Sequence, residues 1–460
     1  MASQDPRHPE EAAQQPSRRT HDVDPTPAVP ALIAARLPFF YGWTVLACLC
    51  CAGFARQGPA VSALSVFVTP LIHEFGWSRT ALSGAVSLGG ILAAIISPRI
   101  GSFLDRAGSR LVLCYAVLTT GAALLLLSLT QSLVMFYLLF CVARMNWASP
   151  FELGIYGAVN NWFVARRQFA TSIATLAQMA GLVTMPLIAQ FAMLHGSWRQ
   201  GWAAIGVLTL LVGFLPTWLL LVRRPEDLGL HPDGVARDPV PTADGRHQAP
   251  IPEPDFTRAQ ALRTPAFWLL LAYTGLVYPI QAGISLHMAP HLDEHGIAPA
   301  IVATIVSTYS LMSAAATLTC GFLPRRLPIR CPMAVAGLLL TTSPLLMMTI
   351  TSPGQAYLAA ALFGFGVGGI LTLLPIAWAD YFGRTSFGAI RGVALSAQVI
   401  AQAVGPLISG GLRDWTGSYA LSLIVLAAFG ATSVIAAITT PAPHASRGRV
   451  PSGRSHRKLR

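Results

Sequence analysis

The chain has 460 residues, of which 53% are hydrophobic and only 11% are charged. Soluble domains carry about 25% charged residues, so this composition excludes an ordinary soluble protein and indicates an integral membrane protein. The formal net charge of +12 does not indicate a nucleic-acid partner, because the basic residues fall mainly in alternate gaps between apolar segments.

Twelve apolar segments, each long enough for a membrane-spanning helix of roughly 20 residues, follow one another along the chain. Their Leu, Ala and Gly content favours helices over the alternating strands of a barrel. The segments lie near residues 41–67, 80–100, 111–130, 134–162, 169–193, 201–222, 266–290, 299–321, 332–350, 355–380, 391–411 and 419–439.

These segments and the polar stretches between them divide the chain into five parts. The predicted parts are a disordered N-terminal tail (1–38), two six-helix bundles (39–222 and 265–440), a linker between them (223–264) and a basic C-terminal tail (441–460). Arginines are concentrated in the linker, in the C-terminal tail and after the even-numbered segments, for example Arg384 and Arg391 after the tenth. By the positive-inside rule, the linker and both termini face the cytoplasm. We expect the bilayer to be a plasma (cell inner) membrane.

The first segment contains an arginine, Arg56, within the stretch CLCCAGFARQGPAVS (48–62). An ionised side chain costs about 2.5–3.5 kcal/mol at the centre of a membrane helix on insertion scales, so it usually faces a cavity. The adjacent Gly58-Pro59 predicts a kink. The neighbouring cysteines have no His, Asp or Glu beside them and are interpreted as small hydrophobic residues, so neither a metal nor a cofactor is predicted.

The fourth segment carries two more charges at membrane depth, Arg144 and Glu152, within FCVARMNWASPFELGIYG. On one straight helix, these residues would be about 12 Å apart along the axis, too far for a direct ion pair. Each therefore needs another partner or a shared water-filled cavity. Two arginines, counting Arg56, against one glutamate leave an excess of positive charge, which favours an anionic substrate.

The sequence repeats at a constant offset of 220 residues. This offset predicts two bundles of common origin, related by an axis along the membrane normal, with a substrate site between them near mid-membrane. At the same offset the three deep charges meet Leu276, Gly364 and Thr372, so the second bundle is predicted to contribute neutral polar groups. The matched pairs include Gly101 with Gly321, Arg106 with Arg326, Arg110 with Arg330, Gln178 with Gln398 and Pro186 with Pro406.

The stretch GSFLDRAGSR (101–110) fits the pattern G-x-x-x-D-R-x-G-x-R at every position. It resembles the signature loop of the major facilitator superfamily, and the resemblance implies two pseudo-symmetric six-helix bundles and transport by alternating access. It also implies that the loop latches the cytoplasmic gate in the outward-facing state, and Asp105 is suited to a helix N-terminus. The alternative is that its arginines only mark membrane topology. The predicted gating residues are Gly101, Asp105, Arg106, Gly108 and Arg110.

Three further stretches, FGWSRTALSGA, RRPEDLGLHPDG and ALRTPAFW, look like the bacterial monocarboxylate and oxalate/formate branch of that superfamily. The resemblance implies a carboxylate substrate. One position departs from the branch, because Thr317 stands where an arginine is expected in the eighth helix. Either Arg56 and Arg144 have taken over its role, or the substrate is not a simple carboxylate.

These observations predict a secondary transporter for a small organic anion, with a monocarboxylate moving together with a proton as the first choice, and with a single chain as the working unit. Glu152 and His287 are the predicted proton-coupling residues, because a carboxylate or an imidazole can exchange a proton. The predicted substrate-binding residues are Arg56, Arg144, Asn146, Gln178, Tyr278, Gln281, Tyr309, Gln398 and Gln402.

Two alternative functions remain open at this point. A proton-driven efflux antiporter of amphiphilic or drug-like compounds would use Glu152 to exchange protons for a cation, although the excess of arginine counts against it. The second is a membrane-embedded enzyme or a non-transporting sensor. No nucleophile–base pair or phosphate-binding loop in the sequence favours an enzyme, and we expect no enzymatic activity.

Overall fold

The computed structural model of the protein describes residues 28–234, 254–323 and 327–443, and all regular structure within these ranges is helical. Eleven helical segments are long and apolar enough to cross a membrane, and two shorter apolar helices, Gly42–Ala55 and Val61–Phe75, precede them. We count that pair as the first of twelve crossings. The predicted all-α membrane fold is confirmed.

Part of the predicted N-terminal tail is a helix. Residues Ala28–Arg36 form α1, and Ile33 and Ala34 pack against the first bundle. The prediction of disorder is therefore wrong for this stretch, because its apolar side chains pack against the first bundle. Residues 1–27 and 444–460 of the two predicted tails, and residues 235–253 of the linker, lie outside the described residues.

The first bundle contains two broken crossings and one π-helical turn. Its helices are α2 (Gly42–Ala55), α3 (Val61–Phe75), α4 (Arg79–Ala107), α5 (Ser109–Leu127), α6 (Leu133–Ala148), α7 (Pro150–Trp162), α8 (Arg167–Leu194), α9 (Trp198–Leu208), the π-helical turn Thr209–Phe214 and α10 (Leu215–Leu220).

The linker and the second bundle follow. The described parts of the linker contain two 3-10 turns, Pro225–Leu228 and Pro232–Gly234, and the short helix α11 (Arg258–Ala261). The helices of the second bundle are α12 (Pro265–Glu294), α13 (Pro299–Gly321), α14 (Arg330–Met347), α15 (Pro353–Phe382), α16 (Phe387–Thr416) and α17 (Ala420–Thr439).

The helix starts repeat at the offset found in the sequence. Helix α4 begins at Arg79 and α13 at Pro299, and α8 begins at Arg167 and α16 at Phe387. The bundles differ in continuity, because α12 and α15 each run unbroken for 30 residues, whereas both equivalent crossings of the first bundle are interrupted.

The first crossing is interrupted at residues 56–60, between α2 and α3. Proline lacks an N–H group and its ring clashes with the preceding turn, and a glycine beside it gives the backbone freedom to leave the helix. Pro279 stands at the position equivalent to Pro59, yet α12 continues through it, with Tyr278 in the place of Gly58. The proline alone therefore does not end the helix, and the Gly-Pro pair does.

The fourth crossing is interrupted between α6 and α7, which overturns the straight helix assumed from the sequence. Ser149 has φ −128° and ψ −74°, as expected for a residue whose helical conformation is disfavoured by the proline that follows. Pro150 is the first residue of α7, where its missing N–H costs no hydrogen bond. Arg144 and Glu152 consequently lie on different helices.

Each bundle has its own buried aromatic core. In the first, the rings of Phe67 and Trp202 stack with centroids 3.9 Å apart, and in the second Phe267 meets Trp378 edge-on at 5.3 Å. Such pairs are worth about 0.5–1.5 kcal/mol beyond the area they bury. Each of these ring pairs lies entirely within one bundle.

The two bundles meet mainly where α4 packs on α16 and α8 on α13. We call the end of the molecule that carries the linker the linker end. The described hydrogen bonds and ion pairs between the bundles lie between this end and the middle of the helices. At the opposite end, the ion pairs Arg199–Glu74 and Arg413–Glu294 each stay within one bundle. The bundles are thus fastened together at the linker end.

Candidate functional site

Three buried charged side chains meet between the bundles, in the middle of the molecule. Nη1 of Arg56 lies 2.7 Å from Oε2 of Glu152, and Nη2 of Arg391 lies 3.4 Å from Oε1 of the same carboxylate. Arg56, Glu152 and Arg391 are 6%, 8% and 1% exposed, respectively. Because Arg56 and Glu152 belong to the first bundle and Arg391 to the second, the Glu152 carboxylate bridges the two bundles.

The helix breaks place two of these charges at helix ends. Arg56 caps the C-terminus of α2, and Glu152 lies in the first turn of α7. A helix favours a positive charge at its C-terminus and a negative charge at its N-terminus, by about 0.3–1 kcal/mol for each at exposed sites. The Nε atom of Arg56 also donates to the Trp147 carbonyl oxygen at 2.8 Å, near the end of α6. The two breaks therefore build the site, because they supply helix ends at membrane depth.

Two glutamines hold the arginines in place. Gln178 accepts a hydrogen bond from Nη1 of Arg56, and Gln398 accepts one from Nη2 of Arg391 at 2.7 Å. The Nε2 atom of Gln178 donates to the hydroxyl oxygen of Tyr156 at 3.2 Å, and that hydroxyl also contacts the Thr175 hydroxyl. The Gln178 amide is thereby oriented so that its oxygen faces the Arg56 guanidinium group.

Arg144 lies beside this centre, and none of the ion pairs among the described residues includes it. Its guanidinium carbon is 3.9 Å from the centroid of the Trp147 ring, and that of Arg56 is 4.7 Å from the same centroid. The indole N–H of Trp147 donates to Gln57 at 3.0 Å, which fixes the ring. With Arg391, the site holds three arginines against one glutamate, a formal charge of +2.

Besides Gln398, four predicted substrate-binding residues lie on the second bundle. Tyr278 is buried on α12, within electrostatic reach of Arg391 and Glu152. Gln281, Gln402 and Tyr309 form a separate polar group, in which Gln402 donates to Gln281 at 3.4 Å and Ser285 donates to the hydroxyl oxygen of Tyr309 at 3.4 Å. Among the described residues, no hydrogen bond connects this group to the arginines.

Asn146 is not part of the site, contrary to the sequence-based prediction. Its Nδ2 atom donates to the hydroxyl groups of Thr119 and Thr120 at 2.8 and 3.1 Å, which places the side chain between α6 and α5, inside the first bundle. Asn146 is two residues from Arg144, and 100° of helical rotation per residue turns it to another face.

His287 lies away from Glu152, so the two predicted proton-coupling residues do not form one site. It is nine residues beyond Tyr278 on α12, about 14 Å along the axis. Its Nδ1 lies 3.2 Å from the Tyr419 hydroxyl and its Nε2 3.4 Å from the Pro406 carbonyl oxygen. His287 therefore connects helices of the second bundle near the opposite end.

Thr317, at the position where the related branch has an arginine, is fully buried between helices of the second bundle. Its hydroxyl donates to the Ser313 carbonyl oxygen at 3.0 Å and approaches that of Gly368 at 3.5 Å. This helix position therefore faces α15.

Sequence reasoning missed Arg391, because it placed the start of the eleventh segment at residue 391 and counted this arginine among the loop charges. The helix begins four residues earlier, at Phe387, and Arg391 is buried one turn inside it. The repeat contains the missing signal, since Phe387 is equivalent to Arg167, where α8 begins.

The signature stretch is almost entirely helical, where the sequence analysis placed a loop. Helix α4 extends to Ala107 and α5 begins at Ser109, so Gly108 alone forms the junction, at φ 84°. This region of φ favours glycine. Arg110 donates to the Trp218 carbonyl oxygen at 2.8 Å and lies over the Trp218 ring, within the first bundle. Arg106 is exposed.

Asp105 and Gly101 make the contacts of this stretch with the second bundle. The Asp105 carboxylate accepts hydrogen bonds from the backbone N–H groups of Gly388 and Ala389 at 2.7 and 2.8 Å. These groups belong to the first turn of α16, where unpaired N–H groups favour an anion. One turn away, a Cβ atom at Gly101 would overlap the Gly388 carbonyl oxygen, so the approach of α4 to α16 requires glycine.

Two ion pairs add to this closure at the linker end. Arg167 of α8 pairs with Asp380 of α15, with Nη1 and Oδ1 2.5 Å apart. Arg384 pairs with Glu226 of the linker at 2.8 Å and donates to the Asn161 carbonyl oxygen at 3.2 Å. The linker is therefore part of the fastening between the bundles.

The described residues contain no group of three or more His, Cys, Asp or Glu side chains that could hold a metal ion. The described side chains at the centre offer guanidinium groups, one carboxylate, amides and phenols. Such a set can bind an anion and exchange a proton.

Comparison with protein families matches the chain to the family model described as Major Facilitator Superfamily, over residues 5–151, 45–294 and 274–459. Among curated proteins, the chain is similar to the membrane sensor protein UhpC of Salmonella typhimurium, with 28% identity over 75% of this chain and 79% of that protein. It is also similar to the oxalate:formate antiporter of Oxalobacter formigenes, with 23% identity over 78% and 83%, and to mouse monocarboxylate transporter 11, with 25% identity over 85% of each chain.

Solved structures with the same fold include the human organic anion transporter MFSD10, with a TM-score of 0.67 and 13% identity over 86% of this chain and 99% of that chain. The proton:xylose symporter XylE gives a TM-score of 0.64 and 11% identity over 87% and 96%. At these identities, the likeness concerns the two-bundle fold alone.

Proposed function

Since the chain belongs to the major facilitator superfamily, we propose that it is a secondary transporter that carries a small organic anion across the plasma membrane by alternating access. The observation that carries the proposal is the Glu152 carboxylate held between Arg56 of one bundle and Arg391 of the other. A site made by both bundles is exposed to either side in turn when the bundles rock against each other.

The geometry supports a carboxylate as the anionic group. The place between the two arginines already holds one carboxylate, that of Glu152, and arginine is the residue best suited to bind this group in a planar, bidentate way. The names of two relatives, an oxalate:formate antiporter and a monocarboxylate transporter, support the same class.

The same geometry suggests how a proton is coupled to transport. When the carboxylate of the substrate takes the place of Glu152, the displaced side chain loses its ion-pair partners in a buried site. An ionised carboxylate without a partner is costly there, so Glu152 takes up a proton. The carboxylate substrate would then move with one proton. We assign no proton to His287.

The orientation follows from the arginines outside the site. By the positive-inside rule, the linker end faces the cytoplasm. Because the described contacts between the bundles lie from this end to the middle of the helices, the arrangement is an outward-facing state. We propose that a single chain is the functional unit, since both halves of the site come from it.

The test is uptake into proteoliposomes across a panel of radiolabelled organic anions, with and without an imposed pH gradient. We expect saturable, pH-driven uptake of at least one carboxylate, loss of uptake in Arg56→Ala, and loss of its dependence on the gradient in Glu152→Gln. Arg413→Gln, which breaks an ion pair at the opposite end, is the matched control. Uptake by Arg56→Ala at the wild-type rate, in correctly inserted protein, would falsify the assignment.

A sensor role is the second candidate, favoured by the likeness to the membrane sensor protein UhpC. A sensor would bind the anion at the same arginines without moving it. Binding in detergent together with no flux in proteoliposomes would favour this role. The three central arginines disfavour a third function, the efflux of cations. Cation efflux would be supported if the protein made a sensitive host resistant to cationic compounds and Glu152→Gln abolished that resistance.

A further inference from the structure

We propose that Arg144 and Trp147 form a second anion subsite next to the Glu152 bridge, and that the transported anion is therefore a dicarboxylate with a short carbon spacer. This inference rests on the proposed transport of an organic anion through the central site, and it names the class of that anion.

The first observation is the set of donors at Arg144. Its Nε and Nη1 atoms are buried and have no hydrogen-bond acceptor among the described protein atoms. None of the described ion pairs includes this residue, and its close aromatic neighbour is the face of Trp147. A charged donor that loses water without gaining an acceptor is strongly unfavourable, so a group that brings its own acceptors, such as a carboxylate, is the natural partner.

The second observation is that Arg144 is held in place. A Cβ atom at Gly89 of α4 would overlap Cβ and Cγ of Arg144, so the absence of a side chain there creates the space for the arginine stem. The Trp147 ring, against which the Arg144 guanidinium lies, is fixed in turn by the hydrogen bond from its indole N–H to Gln57. Two packing features thus fix the position of a cation whose charge none of the described residues neutralises.

The third observation is the charge of the whole centre. With Glu152 ionised, Arg56, Arg144 and Arg391 leave a formal charge of +2, which a dicarboxylate cancels and a monocarboxylate only halves. With Glu152 protonated, the dicarboxylate again leaves the smaller residual charge. Because uncompensated charge at membrane depth is expensive, the site favours the divalent anion in both states.

The distance between the two subsites limits the length of the substrate. The guanidinium carbons of Arg56 and Arg144 lie 4.7 and 3.9 Å from one ring centroid, so they are at most 8.6 Å apart, the sum of those distances. A dicarboxylate with a spacer of a few carbons places one carboxylate between Arg56 and Arg391 and the other against Arg144.

The experiment compares succinate with butyrate, which have the same number of carbons but two carboxylates and one. Uptake and competition are measured in proteoliposomes with the wild type, Arg144→Gln, Arg144→Lys and the control Arg413→Gln. We expect the half-saturation concentration to be at least about tenfold lower for succinate than for butyrate in the wild type. Arg144→Gln should remove that difference by weakening succinate alone, and Arg144→Lys should restore part of it.

Equal half-saturation for succinate and butyrate in the wild type, or an equal loss of both in Arg144→Gln, would overturn the second subsite and leave the proposed function standing. If neither of these anions nor any other carboxylate were taken up or bound, that result would instead contradict the proposed function itself. Trp147→Phe, which keeps an aromatic face and removes the indole N–H, provides a second variant if Arg144→Gln does not fold. It should weaken succinate more than butyrate.

Discussion

Gln178 and Gln398 stand 220 residues apart in the sequence, and each accepts a hydrogen bond from a buried arginine at the centre of the molecule. The arginines are not themselves repeat partners, because Arg56 is equivalent to Leu276 and Arg391 to Thr171. The two bundles therefore carry the glutamine acceptor at equivalent positions and its arginine donor at positions that are not equivalent. The Glu152 carboxylate joins the two arginine–glutamine pairs.

Arg391→Gln should abolish transport, although this residue was assigned to a loop from its sequence position. The substitution removes the second bundle's ion pair with Glu152 and leaves Gln398 without its donor. Truncating one partner of a buried ion pair costs about 3–5 kcal/mol, so the thermal unfolding temperature should also fall. Uptake and unfolding of purified protein measure both effects.

Arg413→Gln serves as the control for Arg391→Gln. Arg413 pairs with Glu294 within the second bundle, and its side chain is 41% exposed. Ion pairs open to solvent are typically worth about 0–1 kcal/mol. Wild-type uptake in Arg391→Gln would show that the contact between the bundles does not take part in transport.

Gly101→Ala should open the linker end. A methyl group there overlaps the backbone of Gly388, which no change of side-chain rotamer can relieve, so α4 and α16 must move apart. Distances between spin labels at Gln168 and Arg330, which line one cavity at the linker end, should shift toward longer values, and uptake should fall several-fold or more.

The matched change is Gly275→Ala in α12, where a Cβ atom would meet nothing within 4 Å. Gly275→Ala should leave the spin-label distances unchanged and stabilise the helix by at most about 1 kcal/mol. Identical label distances in the two variants would show that the close approach at Gly101 does not hold the bundles together.

Pro150→Ala should reduce uptake by about tenfold or more without removing any charge. Alanine allows helical backbone angles at Ser149 and favours helix by about 3 kcal/mol over proline in a helix interior, so α6 and α7 can join. Glu152 would then leave the first turn of α7 and move away from Arg56. Uptake checks the effect on transport, and the pH dependence of uptake checks the effect on Glu152.

Pro375→Ala in α15 is the corresponding control, because that proline lies inside an unbroken helix. Its removal adds a hydrogen-bond donor inside a helix that is already continuous. If Pro150→Ala transported like Pro375→Ala, the break in the fourth crossing would have no role in placing Glu152.

The fold could be predicted from the sequence because it depends on patterns that many residues share. Helix length, apolar composition and the offset of 220 residues each involve dozens of positions, so an error at one end of a segment changes little. Arg56 and Glu152 were also identified as residues of interest, since a charge in an apolar segment is conspicuous by itself.

The details of the site could not be predicted in the same way, because they depend on single residues at helix ends. Arg391 was missed because a boundary was placed four residues too late, and Asn146 was included although it turns toward α5. The pair Arg56–Glu152 was not foreseen because the break at Ser149 was not. A helix boundary decides which face a side chain occupies, and sequence patterns define boundaries least well.

The hydrogen bonds of Asp105 end on the peptide backbone of α16. Since every residue except proline offers an N–H group, Ala389 can change its side chain without losing the donor. Gly388 and Asp105 have no such freedom, because a Cβ atom at Gly388 would overlap the Gly101 carbonyl oxygen and the Asp105 carboxylate. Mutational tolerance across this contact should therefore be lopsided, with inherited variation accumulating at Ala389 while purifying selection acts on Gly388 and Asp105.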